Sequence, residues 1–346
     1  MRKLIAHLPS VALLLFTAGL WSGLESGCTS KTEDAYNMAN DTTLSLVVRE
    51  WSKRINKYPD DPEYYIERSK ELVDDKKHAL ALNDVDKAID LNVDQPSYYE
   101  LKGDIQMALN ETFNASETYK LATQKFPKNA STHLNLGRFH YIVRAFDESE
   151  QALKKAIELD ATKPDAFFLI GLVSKERGDT TEAISAFERA YLIDNEHIDA
   201  MIQLGQLYSE QGDSTGLEWY SKAIAVDEYN DEAYYGKGYL LQHLGLFERA
   251  IQNYQDCIDV NARHYLAYFN TGYILFSGKN WDRALEHFRI AVKFAPDFVK
   301  GHYMLGLTNE GKSNFEQARV HYNKCLQLDP DYDLAKLGLE RLENNS

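Results

Sequence analysis

Three cysteines, ten histidines and 53 carboxylates are the raw material for chemistry in this chain of 346 residues. The histidines are scattered, and none pairs with a second ligand at the short spacings that hold a metal ion. Adjacent carboxylates occur at Asp60-Asp61 and Asp74-Asp75, near turns, where they read as solvated faces rather than as an acid/base pair. Cys257 and Cys325 stand far apart in the C-terminal half, and Cys28 lies near the start. No glycine-rich phosphate loop, Gly-x-Ser-x-Gly elbow, His-Glu-x-x-His or Cys-x-x-Cys occurs. The sequence therefore predicts a non-enzyme without metal or cofactor. Its function must come from surfaces.

The elements that build those surfaces are recorded in seven glycines. Gly103, Gly137, Gly171, Gly205, Gly238, Gly272 and Gly306 follow one another at one constant interval, broken only between Gly205 and Gly238, where the step is shorter by one. Small residues recur in phase at Ala115, Ser149, Ala183, Gly216, Ala250, Ala284 and Ala318, and again at Ala122, Ala156, Ala190, Ala223, Cys257, Ala291 and Cys325. Between these two columns runs a bulky one: Tyr119, Leu153, Phe187, Tyr220, Tyr254, Phe288 and Tyr322. A fixed period of this length means stacked supersecondary units.

The pattern resembles the tetratricopeptide repeat (TPR), a helix-turn-helix unit of about 34 residues with small residues where helices cross. Ser69, Ala81, Val85 and Ala88 form a weaker first copy. This gives eight repeats: 62–95, 96–129, 130–163, 164–197, 198–230, 231–264, 265–298 and 299–332. The resemblance implies an all-α solenoid, a right-handed superhelix in which each unit buries its apolar face on its neighbours. Cys257 and Cys325 fill equivalent small-residue slots two repeats apart, too far for a disulfide, and read as packed hydrophobes. His133 and His302 fall in the aromatic fourth position of their repeats, where packing is expected. The fifth repeat is the short one, with Gln211-Gly212-Asp213-Ser214-Thr215-Gly216 at its turn. That reads as a deletion in a surface turn, or as a hinge, with Gly216 weakening the second helix by about 1 kcal/mol relative to alanine.

The resemblance also implies where a partner binds. In this family the second, fifth, ninth, twelfth and thirteenth positions of each repeat face a concave groove. Candidate partner-binding residues there are Tyr235, Tyr239, Phe269, Tyr273, Phe276 and Tyr303 toward the C-terminal end, with Tyr141 and Phe168 in the middle repeats. Aromatic side chains dominate binding hot spots, and the alternative is that these rings only pack between helices. The ninth positions, Lys70, Asp104, Arg138, Leu172, Gln206, Tyr239, Tyr273 and Leu307, lack the carboxylate clamp of the heat-shock adaptors of this family.

Both ends read as caps. Residues 42–61 carry Leu44, Val47, Val48, Trp51 and Ile55 at helical spacing, as the second half of a truncated repeat. Residues 333–346 carry Leu334, Leu337, Leu339 and Leu342. Upstream, Arg2 and Lys3, an apolar run from Val11 to Trp21 and a small-residue exit describe a signal peptide over residues 1–27. Leu24-Glu25-Ser26-Gly27-Cys28 resembles a bacterial lipoprotein cleavage site, with Glu25 where such sites usually carry leucine. The resemblance implies lipidation of Cys28, a flexible tether over 28–41 and attachment to the outer membrane, its periplasmic or surface side left open.

With 44% apolar and 26% charged residues the composition is that of an ordered soluble protein, and a formal charge of −15 speaks against nucleic acid as partner. The sequence thus predicts a non-catalytic scaffold that binds a protein or peptide in its groove at the bacterial cell envelope. A carbohydrate-binding lipoprotein using the groove tyrosines is the alternative, and self-association is a further reading.

Overall fold

The computed structural model describes residues 37–344, and all regular structure among them is helical. The expectations on residues 1–36, Cys28 included, lie outside the described residues. The chain divides into two compact units, Met1–Tyr98 and Tyr99–Ser346.

First helices begin where each repeat is expected to begin: Pro62–Asp74, Pro96–Ala108, Ala130–Ile142, Pro164–Glu176, Ile198–Glu210, Asp231–His243, Tyr265–Ser277 and Val299–Gly311. Second helices are His78–Leu91, Thr112–Lys125, Phe146–Leu159, Thr180–Ile193, Gly216–Val226, Phe247–Val260, Trp281–Phe294 and Phe315–Leu328. Local chemistry starts them. Pro62 and Pro164 occupy the first turn, where a missing N–H costs nothing. Asn129 and Asn230 accept from free backbone N–H groups of the helices they precede.

Each helix pair turns through one left-handed residue at position 15 of its repeat: Lys76, Asn110, Arg144, Gly178, Gly212, Gly245, Lys279 or Ser313, with φ between 59° and 80°. The same two bonds close every turn. In the seventh repeat Asn280 N donates to Leu275 O at 2.8 Å and Lys279 N to Phe276 O at 2.9 Å. This is the Schellman closure of a helix C-terminus, and it favours glycine. Gly212 in the short repeat is therefore an ordinary member of this column.

The glycine ladder is the close contact between the two helices of a pair. A Cβ added at Gly103, Gly171 or Gly306 would lie 2.5 Å from the ring of Tyr119, Phe187 or Tyr322, and at Gly272 2.8 Å from Phe288. The rings of Phe187, Phe288, Tyr254 and Tyr322 are fully buried, which stabilises each pair by about 1.5–3 kcal/mol per ring. In the second unit a further small column recurs at position 3 of the first helices: Ala166, Ala200, Ala233 and Ala267, all completely buried, then Gly301 and Ala335. Its last member lies in the terminal helix Asp333–Asn344, which therefore docks as the first helix of a ninth repeat. Gly338 of that helix touches the Tyr322 ring just as Gly236 touches that of Tyr220.

Two expectations need correction. The turn of the fifth repeat is not its shortened part, because the second helix starts late, at Gly216, and has 11 residues where the others have 14. Gly216 does not merely weaken that helix, because a Cβ there would come within 2.9 Å of the Gly205 carbonyl oxygen. In the terminal helix Ala335 and Leu342 are buried, whereas Leu334 and Leu337 are each 49% exposed.

Within the first unit the helix Leu46–Lys57 buries Val48, Ser52 and Ile55, with Val47 exposed. Each precedes its counterpart among Ala81, Val85 and Ala88 by one residue less than the full repeat and in the same order, so this helix packs in second-helix order but one residue out of the ladder's register. Beside it lies a buried ion pair. Arg68 Nε and Nη2 donate to Asp84 at 2.7 and 2.6 Å, and Nη1 donates to Ser52 Oγ at 3.0 Å.

Cys257 and Cys325 are buried, and burial pushes both thiols up to about 12, so neither supplies a thiolate near neutral pH. Among the described residues no helix is long and apolar enough to cross a membrane.

Two substitutions of opposite sign test this frame. Gly171→Ala should lower unfolding stability by about 2 kcal/mol through overpacking against Phe187, although alanine favours a helix. Ser313→Gly should raise it by about 0.5–1 kcal/mol by relieving the left-handed turn. Urea titration followed by circular dichroism measures both; a Gly171→Ala protein as stable as the parent contradicts the contact.

Candidate functional site

The eight candidate rings separate by their position in the repeat. Position 5 is a packing slot. Phe168, Tyr235, Phe269 and Tyr303 each lie against the ring-slot residue of their own second helix, Phe187, Tyr254, Phe288 and Tyr322, with centroids 5.5–6.0 Å apart. Each also meets the residue just before the next first helix: His197, His264, Phe298 or Tyr332, at 4.7–5.6 Å. Phe168 is buried outright, and the other three are half-buried. His197 and His264 have a second duty, since each Nδ1 accepts a backbone N–H of the helix it precedes at 3.2 Å.

Position 12 packs as well. Tyr141 lies 6.2 Å from Phe146, and Phe276 stacks at 6.5 Å on Trp281, in each case across the turn. Position 9 differs. Tyr239 is 42% and Tyr273 45% exposed, the largest exposures among the candidate rings. Tyr239 stacks loosely on Tyr235 at 6.4 Å and lies 4.4 Å from His243.

Hydrogen bonds show that these positions share one face in the second unit. Lys175 Nζ donates to Gln203 and Gln206 in the next first helix, at 2.7 and 3.1 Å. Gln206 donates in turn to Glu232, and Asn270 donates back to the Tyr235 hydroxyl, both at 3.2 Å. Arg341 of the terminal helix forms a bidentate pair with Glu310 at 2.8 Å. The first helices thus lie side by side. Residues at positions 2, 9 and 13, rather than the packed position 5, supply accessible surface on these helices.

The charges on this face are unevenly met. Glu232 reaches solvent, yet partial burial of its carboxyl strips some of its hydration. That desolvation, with Asp199 and Asp231 adding to it, raises its carboxyl above the usual range. Burial likewise raises Glu100 and Asp104, partly offset by Arg138. The Tyr119 hydroxyl donates to Asp104 at 2.5 Å. On sequence alone the outward Leu334 and Leu337 read as cap core. Counting the terminal helix as a first helix puts them at positions 2 and 5, so the repeat register itself holds the missed signal.

With this geometry in place, the comparisons agree. A tetratricopeptide-repeat family profile matches residues 143–200 and 235–297, and a second matches 299–332. The chain is a TPR protein. Among solved structures, the C-terminal part of a TPR repeat-containing protein from Cytophaga hutchinsonii is similar with a TM-score of 0.57, at 17% identity, over 69% of this chain and 99% of that one. The Cut9–Hcn1 hetero-tetramer of APC/C gives 0.54 at 17% identity, over 90% of this chain and 63% of that one. At these identities the likeness is one of fold. The Arabidopsis thaliana protein CTR9 homolog is 26% identical over 132 residues, 38% of this chain and 12% of the relative's own length. TPR proteins are generally non-catalytic scaffolds that bind other proteins, and the chain shares their repeat.

Position 4 carries a second regularity. The polar tips of Tyr65, His133, Tyr268 and His302 each reach back to the carbonyl six residues earlier, at 3.0–3.5 Å. His133 and His302 therefore hook the preceding turn as well as packing. Behind His302, His321 stacks at 5.8 Å, and burial first, then His302 and Arg289, lower its pKa to about 4.

The division of positions and the buried histidine are both open to measurement. Phe269→Ala should cost about 3–5 kcal/mol of stability as a packed ring, while Tyr273→Ala should stay within about 0.5 kcal/mol; equal losses in urea titration would contradict the division. For His321, the folded form binds fewer protons than the unfolded form between pH 6.5 and about 4, so its contribution to stability is complete above 6.5 and falls on acidification through that window. A His321→Asn protein should show a shallower loss over this range than the parent; identical slopes would refute the assignment.

Proposed function

We propose that this TPR protein is an exported scaffold, anchored by lipid on Cys28 at the bacterial outer membrane, which seats a protein partner on the first-helix face of its second unit. The observation that carries the binding reading is the pair Tyr239 and Tyr273, whose exposed rings occupy position 9 of successive repeats. Large amphipathic rings on a rigid helical face bury much area at small entropic cost on binding. The packed rings of position 5 supply the rigidity beneath them.

Export and anchoring rest on the basic start at Arg2 and Lys3, the apolar run Val11 to Trp21 and the small residues before Cys28. A single acyl chain binds membranes marginally, so a durable anchor needs more than one chain on that cysteine.

The test is purification from membranes of the parent and of a Tyr239→Ala/Tyr273→Ala protein, followed by identification of what accompanies each. The parent should bring down a defined protein that the variant loses at unchanged thermal stability. Recovery of the same protein in the same amount by the variant would sink the binding reading. Cys28→Ala should move the protein from the membrane to the soluble fraction, and the mass of the mature N-terminus reads the lipid directly.

A further inference from the structure

The chemistry of the partner segment is written on the same face. Beyond Tyr239 and Tyr273, the apolar surface continues onto the terminal helix, where Leu334 and Leu337 are half exposed. On the other side of Tyr239, toward the fifth repeat, the face turns acidic. Asp199 and Glu232 occupy position 2 of successive repeats and Glu210 lies at position 13, all three exposed.

Few cations answer them. Lys175 directs its ammonium to the amide oxygens of Gln203 and Gln206, and Gln206 is the neutral donor to Glu232. Farther along, Arg341 is committed to Glu310, which leaves Lys300 as an exposed cation beside the apolar stretch. Desolvation first, then Asp199 and Asp231, raise the Glu232 carboxyl, and Gln206 and Lys175 offset this only in part.

Resting on the protein-binding reading above, we infer that this face takes an extended peptide segment whose apolar side chains lie over Tyr239, Tyr273, Leu334 and Leu337 and whose adjoining basic cluster lies over Asp199, Glu210 and Glu232. Charge complementarity selects this occupant. An arginine or lysine cluster relieves like-charge repulsion among carboxylates on a chain that already carries −15. An acidic segment would add to it. Four first helices side by side, from the sixth repeat to the terminal helix, span about 30 Å at roughly 10 Å each. The acidic step adds about one more helix width. An extended chain covers that length in about a dozen residues.

The probe is a fluorescein-labelled peptide of about that length, alternating Leu and Gln and ending in an Arg cluster. Two controls carry Glu in place of Arg, or Ser in place of Leu. Anisotropy with the full folded chain should give binding of the Arg-ended peptide at least about tenfold tighter than either control, weakening as salt is raised. Asp199→Asn/Glu232→Gln and, separately, Tyr239→Ala/Tyr273→Ala should each weaken it by about tenfold. Equal or tighter binding of the Glu-ended peptide overturns the inference, and so does the absence of binding by all three. The two readings fail differently. If a captured protein depends on the tyrosines and is indifferent to Asp199→Asn/Glu232→Gln, the scaffold reading stands and the basic segment is refuted. If neither pair matters, both fall.

Discussion

The contact of a glycine in the first helix of the second to eighth repeats with the bulky residue of the following second helix sets the geometry from which the rest follows. Because no Cβ intervenes, the two backbones approach until the ring of Phe187, Phe288 or Tyr322 fills the space that a side chain would need. Helices brought this close must turn back sharply, and such a tight return demands a left-handed residue. The turn therefore repeats at position 15 even where its residue is Asn110, Arg144 or Lys279. Those turns tolerate a conformation that costs a non-glycine residue about 1 kcal/mol. The burial gained by closing the pair outweighs that penalty.

The same contact decides which surface is free. A buried slot ring packs at a tilt against position 5 of its own first helix, and the residue before the next first helix closes over the other side. Position 5 is thereby claimed for packing in Phe168, Tyr235, Phe269 and Tyr303. One turn farther on, position 9 points past the packed layer, so Tyr239 and Tyr273 keep their exposure. Packing and exposed surface fall on neighbouring turns of one helix. In a stack where each unit contacts only its neighbours, the exposed residues can then differ from repeat to repeat without disturbing the fold.

Much of the fold was legible because the ladder records both a period and a residue type. Every first helix begins at its expected residue, and the two cysteines at crossing slots are buried as expected. What was not legible depends on partners distant in sequence. Whether a ring at position 5 is covered is settled by a residue nearly a whole repeat later, such as Phe298 for Phe269. The left-handed turns were hidden because only Gly178, Gly212 and Gly245 of that column are glycine. Arg68 and Asp84 belong to types seldom buried. Only the fold, which brings a first helix and its second helix into bidentate contact there, reveals them as core.

Leu337 shows the rule from its other side. It occupies position 5, the place held elsewhere by Phe269 and Tyr303, and its helix carries the buried small residue of the five first helices before it, Ala335, together with Gly338, which faces the Tyr322 ring as Gly236 faces Tyr220. Yet it is half exposed, since among the described residues no slot ring and no following turn lie over it. Identical local sequence logic thus yields core in the middle of the stack and surface at its last helix. The burial of an apolar residue in this architecture is a property of the next unit as much as of its own. An apolar side chain that the next unit does not cover becomes available to a partner. This is why the apolar face broadens from single tyrosines at position 9 to a contiguous leucine patch on the terminal helix.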